Sequence, residues 1–185
     1  MPVLTRAMIA GALALLLALA ASRAGAESIQ LHEREIKAGL LYNFLKYTDF
    51  PDSALHGSAI SLCLFGGDPF GGYLDNTKGL TVHQRPIAVR VISSAAEADS
   101  CHLVYVNSSA RGQWGGLASA LADKGVLTVS DFGGFVQEGG MIEFSRSGDH
   151  VSAVLNMDAV TAARLRVEDR MLRLVTVVHA GTRKG

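Results

Sequence analysis

Four short apolar runs, at 60–65, 87–92, 102–106 and 126–129, constrain this chain more than any other feature. Each is of strand length and rich in β-branched or aliphatic residues. The intervening segments 69–76, 95–99 and 113–124 read as helical, the last most plainly. Strands that alternate with helical segments favour a parallel sheet covered on both faces. A helical pattern precedes them over 28–47, with Ile36, Leu40, Leu41, Phe44 and Leu45 on one stripe. "DFPD" ends it, because Pro51 disfavours a helical conformation at Phe50. Near the end, "MIEFSRSGDHVSAVLNM" reads as two strands around a Ser147-Gly148-Asp149 turn. A helix from Asp158, a good N-cap residue, to about His179 should follow, although "RVED" interrupts its pattern. Leu165, Met171, Leu172 and Val175 should face the core. The expectation is a three-layer α/β domain with a mostly parallel sheet, an antiparallel C-terminal hairpin and terminal helices.

The beginning of the chain speaks to compartment. "MPVLTR" is a short basic start, "AMIAGALALLLALAA" is an uncharged apolar run of 15 residues, and Ala24-Gly25-Ala26 is a small-x-small cleavage pattern. Arg23 cuts the run short of the roughly 20 residues that a membrane span needs. Residues 1–26 therefore read as a signal peptide cleaved after Ala26, and 27–185 as a single exported periplasmic domain. Cleavage removes Arg6 and Arg23 and leaves 15 basic against 17 acidic groups, so no basic surplus points to nucleic acid.

The only cysteines, Cys63 and Cys101, lie in or beside two of the strand-like runs. Export places them where disulfides persist. They read either as a bridge between neighbouring strands or as two separate buried thiols. No metal site is expected: there is no CxxC, and His102 should point to the opposite strand face from Cys101.

Two glycine-rich loops invite a functional reading. "VSDFGGF" holds Asp131-Phe132-Gly133, the triplet that carries a magnesium-binding acid in protein kinases. The kinase Gly-rich loop, strand lysine and catalytic loop are missing, so Asp131 is expected to cap local backbone donors at a strand end. "FGGDPFGG" follows a strand, fits neither GxGxxG nor a P-loop, and offers Asp68-Pro69 as an N-cap and first helical position. Strand carboxyl ends are where open parallel sheets bind ligands. Gly66, Asp68, Gly71, Asp131 and Gly133 are thus candidate ligand-loop residues. The six histidines are scattered; His83 and His150 are a pair that only folding could bring together. No catalytic residue is nominated, so neither an enzyme nor a cofactor is expected. On a continuous last helix Arg166, Arg170 and Arg173 would share one face, either solvated or docking an acidic partner.

Taken together, several segments resemble the YfiR family. "IKAGLLYNFLKYTDFP" is similar to its opening helix and aromatic-Pro exit, with Phe50 where Trp is usual. "LCLFGGDPFGGYL" and "CHLVYVNSS" resemble its two Cys-bearing strands, and "GVLTVSDFGGFVQEGGMIEF" its LTVSD segment. The resemblance covers Glu33 to Val175. It implies a Rossmann-like fold, a Cys63–Cys101 disulfide, a tendency to dimerise and no catalysis. It also implies a periplasmic regulator that binds the sensor domain of an inner-membrane diguanylate cyclase of the YfiN type. Such binding would lower cyclic di-GMP and biofilm formation, with redox sensitivity of the bridge as a further coupling. The chain departs from the family pattern at 153–156, where "AVLN" stands for the usual "FEIN", and it lacks a second cysteine pair. The alternative is a periplasmic small-molecule-binding module using the two glycine loops.

Overall fold

The computed structural model describes residues 30–55, 57–147 and 150–179. The expected signal segment, the first residues of the leading helix and Gly148–Asp149 of the hairpin turn lie outside them. Helix α1 covers residues 30–46. Its Leu41, Phe44 and Leu45 are fully buried, as the stripe predicts, and Lys37 is unexpectedly buried beside them. The chain leaves α1 through β1 (Thr48–Asp49), and Phe50 packs edge-on against the rings of His83 and His102.

The apolar runs become β2 (Ile60–Phe65), β4 (Arg85–Ile92), β5 (Leu103–Val106) and β6 (Leu127–Ser130). They are parallel neighbours, β2 pairing with both β4 and β5, and β5 with β6. Strand β7 (Ile142–Ser147) continues the sheet in parallel beside β6 and pairs antiparallel with β8 (His150–Asn156), the expected hairpin. Short strands β3 (Thr81–Val82) and β10 (Thr176–Val178) complete eight, in the order β10-β8-β7-β6-β5-β2-β4-β3. The connections between β2, β4 and β5 are 3-10 turns, at Tyr73–Thr77 and Ala96–Ser100, where helical segments were expected. The α-helix α2 (Trp114–Leu121) crosses from β5 to β6.

Period-two alternation splits the core into two layers. Ile60, Leu62, Leu64, Leu103, Tyr105, Leu127 and Val129 pack with α1 and with α3 (Met157–Ala162) on one face. Cys63, Phe65, Val104 and Val106 pack with α2 on the other. This is the expected α/β, Rossmann-like architecture, with a mostly parallel sheet between helical layers. Cys63 and Cys101 are bonded, with Cα atoms 6.0 Å apart and both residues buried, so β2 is tied to the start of β5.

The C-terminal segment corrects the sequence reading. Instead of one helix to His179, α3 stops at Ala163, and Arg164 takes a left-handed conformation at φ 60°. The amide of Leu165 returns to the carbonyl of Val160, closing the helix end without a glycine. The chain then forms β9 (Arg166–Val167), antiparallel to β1, and one turn of helix, α4 (Asp169–Leu172). Leu165 and Met171 are nevertheless buried, and Leu172 and Val175 pack against the core as expected.

Candidate functional site

The carboxyl ends of β2, β5 and β6 lie together, so both glycine loops reach the same end of the sheet. Gly66 has φ +87°, and a Cβ there would meet Ala110 Cβ at 2.6 Å. Only glycine fits this turn. Asp68 Oδ1 accepts from the Phe70 amide at 2.7 Å, an Asx turn in place of the expected helix N-cap. That turn sends Phe70 inward, where its ring meets Tyr105 edge-on at 4.9 Å.

Asp131 does not cap its own loop, contrary to expectation. Its Oδ2 accepts from Lys37 Nζ at 3.0 Å, across 94 residues. The capping carboxylate is Glu143 of β7, which accepts from the amides of Gly134 and Val136. Sequence reasoning missed Glu143 because it belongs to another strand. The rest of the opening motif is packing: Phe132 and Phe135 are buried, and Phe135 lies 4.5 Å from the Trp114 ring. Gly134 at φ +89° makes the sharp bend, while Gly133 is exposed with open space around it.

Lys37 organises the site. It donates to Glu33 Oε1 at 2.7 Å as well as to Asp131, and Glu33 Oε2 also binds Arg146 Nη1 at 3.2 Å. Helix α1 is thereby fastened to β7 and to the end of β6. Asp131 Oδ1 is buried without a hydrogen-bond partner among the described residues, and the Asp131 side chain acts on the buried Tyr105 phenol. Burial first, and then the Asp131 charge, push the phenol well above its ordinary range. Beside these groups lies a cavity of about 270 Å³, lined by Arg34, Pro69, Phe70, Tyr105 and the charged network. Phe70 and Asp131 line it; Gly66, Asp68, Gly71 and Gly133 do not. Lys37 is held by two carboxylates, Glu33 and Asp131.

Other sequence candidates fall apart in space. Arg166 is on β9, Arg170 in α4 and Arg173 just beyond it, so no single helix presents all three, although each is exposed. Arg166 lines a cleft of about 430 Å³ with Arg164, Thr161 and Leu172, and the other two do not. His83, on the β3–β4 turn, bonds the Thr48 carbonyl, whereas His150 begins β8 toward the opposite edge of the sheet. His102 accepts from the Ser61 amide at 3.0 Å. Among the described residues no group of three or more His, Cys, Asp or Glu is placed to hold a metal ion.

No curated protein matches the sequence. Among solved structures, the ABC domain in complex with L-Trp from Streptococcus pneumoniae is similar with a TM-score of 0.45 and 8% identity. The similarity covers 68% of this chain and 59% of that one, and nothing about ligand or partner follows from it. A family model described as YfiR/HmsC-like matches residues 34–176, a span that includes both glycine loops, the disulfide and the Lys37–Asp131 pair. The chain belongs to the YfiR/HmsC-like family.

Proposed function

We propose that the protein is a periplasmic repressor that binds the sensor domain of an inner-membrane diguanylate cyclase of the YfiN type. The observation that carries this reading is the family match over 34–176. In this reading residues 1–26 are removed after Ala26, and the exported domain acts by stoichiometric binding without catalysis, as a homodimer. It prefers the inactive conformation of the receptor, and that difference in affinity lowers cyclic di-GMP output and biofilm formation. No helix among the described residues is long and apolar enough to cross a membrane. Arg166, Arg170 and Arg173 are exposed and available to an acidic receptor surface from two neighbouring segments.

Deleting the gene should raise cyclic di-GMP, and the chain should retain the receptor's periplasmic domain in a pull-down. Unchanged cyclic di-GMP with the cyclase present would remove the proposal. Repeating the pull-down after reduction tests redox coupling; equal capture by both forms leaves the bridge purely structural. The cavity beside Lys37 and the unpartnered Asp131 Oδ1 favour one second reading, a small-molecule sensor at the strand ends. A metabolite-dependent melting shift that Asp131→Asn abolishes, without any effect on the cyclase, would select it.

A further inference from the structure

The disulfide lies in the apolar layer under α2, yet two polar groups stand directly against its sulfurs. Arg90 of β4 places Nη2 3.6 Å from Cys63 Sγ and 3.7 Å from Cys101 Sγ. The same nitrogen donates to Ser100 Oγ at 2.8 Å, which holds it there. On the other side of the bridge the Glu97 carbonyl oxygen lies 3.6 Å from Cys101 Sγ. Cys63 has no such carbonyl contact among the described residues. The two sulfurs therefore differ: both face a cation, and only Cys101 faces an acceptor.

A disulfide carries neither charge nor proton, so the oxidised bridge uses neither group. Reduction changes that. A thiolate is favoured beside a guanidinium, and a carbonyl oxygen, which can only accept, favours a protonated thiol. Arg90 thus favours the anion on Cys63, and Glu97 keeps the proton on Cys101. The other charged groups on the elements packed around the bridge are engaged elsewhere. The Glu97 carboxylate accepts from Ser93 and Ser94, and Asp99 pairs with Lys124. Helix α2 carries no charge, and His102 turns to the opposite face, where it accepts from the Ser61 amide.

We propose that the bridge is an asymmetric redox site for a dithiol reductant, with Cys63 its thiolate and Arg90 the residue that positions the charge. The reductant's thiolate attacks Cys101 Sγ, and the electron pair of the S–S bond leaves on Cys63 beside Arg90. The reductant's second thiol, losing its proton, then closes on the mixed disulfide and expels Cys101. Cys101 takes up one proton and donates it to the Glu97 carbonyl. The dithiol gives two electrons and two protons in all: one proton stays on Cys101 and the other goes to water. Stabilising the reduced form in this way makes the bridge easier to reduce. The inference concerns the sulfurs alone and does not depend on the repressor reading.

The test equilibrates the chain with reduced and oxidised dithiothreitol below about pH 8, where the reagent's own thiols keep their protons. One proton released per reduction should raise the equilibrium constant about tenfold per pH unit once Cys63 is ionised. Arg90→Gln should flatten that slope and lower the constant about tenfold near neutral pH, or about 30 mV; Arg90→Lys should restore most of both. A flat profile in the parent chain, or one that Arg90→Gln leaves unchanged, overturns the proposal. Thiolate absorbance in Cys101→Ser and Cys63→Ser then assigns the sulfur. Cys63, alone in the first variant, should ionise below the ordinary thiol value of about 8.5 and below Cys101 in the second. Equal titration, or the reverse order, in variants that urea unfolding shows to be folded overturns the assignment to Cys63. If either variant fails to fold, the slope of the parent chain and its loss in Arg90→Gln decide.

Discussion

Replacing Lys37 by Met tests whether the charged network fastens α1 to the strand ends. Methionine keeps an unbranched chain of similar length under the Phe144 ring and deletes only the ammonium. Asp131 then loses its only cationic partner among the described residues, whereas Glu33 keeps Arg146. Breaking a fully buried pair costs about 3–5 kcal/mol. The carboxylate side chains here are 20% and 27% exposed, so water recovers part of that. The expected loss is about 2–3 kcal/mol. Adding Asp131→Asn removes the stranded charge and should restore about 1–2 kcal/mol. Urea unfolding of the four proteins of this cycle at neutral pH measures both values. Because the pair is largely buried, most of the loss should persist in 1 M salt, where the Debye length is about 3 Å. A Lys37→Met variant within about 0.5 kcal/mol of the parent, or a coupling near zero, refutes the fastening role.

Three further outcomes follow from other parts of the fold. Reducing the Cys63–Cys101 bridge, which spans 38 residues, should cost about 4 kcal/mol in the chain-entropy model. At about 2–4 °C per kcal/mol for a chain this long, calorimetry should show the melting point about 8–16 °C lower. Gly66→Ala should cost about 2 kcal/mol or more in denaturant unfolding, since φ +87° and the 2.6 Å approach to Ala110 act together. Tyr105 keeps its proton in the folded state beyond the pH at which an unfolded tyrosine loses it. Its contribution to stability is therefore complete below about pH 10 and declines by about 1.4 kcal/mol per pH unit above that. Tyr105→Phe should flatten this alkaline slope in urea titrations, and an unchanged slope would exclude Tyr105 as its source.

Much of the fold was legible because burial period is a local property. Runs such as "ISLCLF" alternate between the two core layers, and the stripe at Leu41, Phe44 and Leu45 returns every three to four residues. Both patterns follow from backbone geometry before any contact forms. That Cys63 lies in one strand-like run and Cys101 beside another was legible in the same way, while their pairing was one of two readings left open by the residues. The end of α3 was not legible, because Arg164 adopts a left-handed conformation without the glycine or asparagine that normally announces one. Pairing of β9 with β1 decides that break, and it joins residues more than a hundred positions apart. The arginine face imagined on a continuous helix dissolved for this reason.

The site divides along the same line. Its location at the strand ends and the Gly66 turn were readable, because glycine and Asx turns act through neighbouring backbone. Its partners were not. Asp131 looked like a local cap until Lys37 arrived from α1, and Glu143 filled the amides of the 131–136 loop from β7. Local conformational preference and periodic burial could be read directly from the order of residues. Which charge meets which depends on strand order and helix docking, and these exist only once the chain has packed.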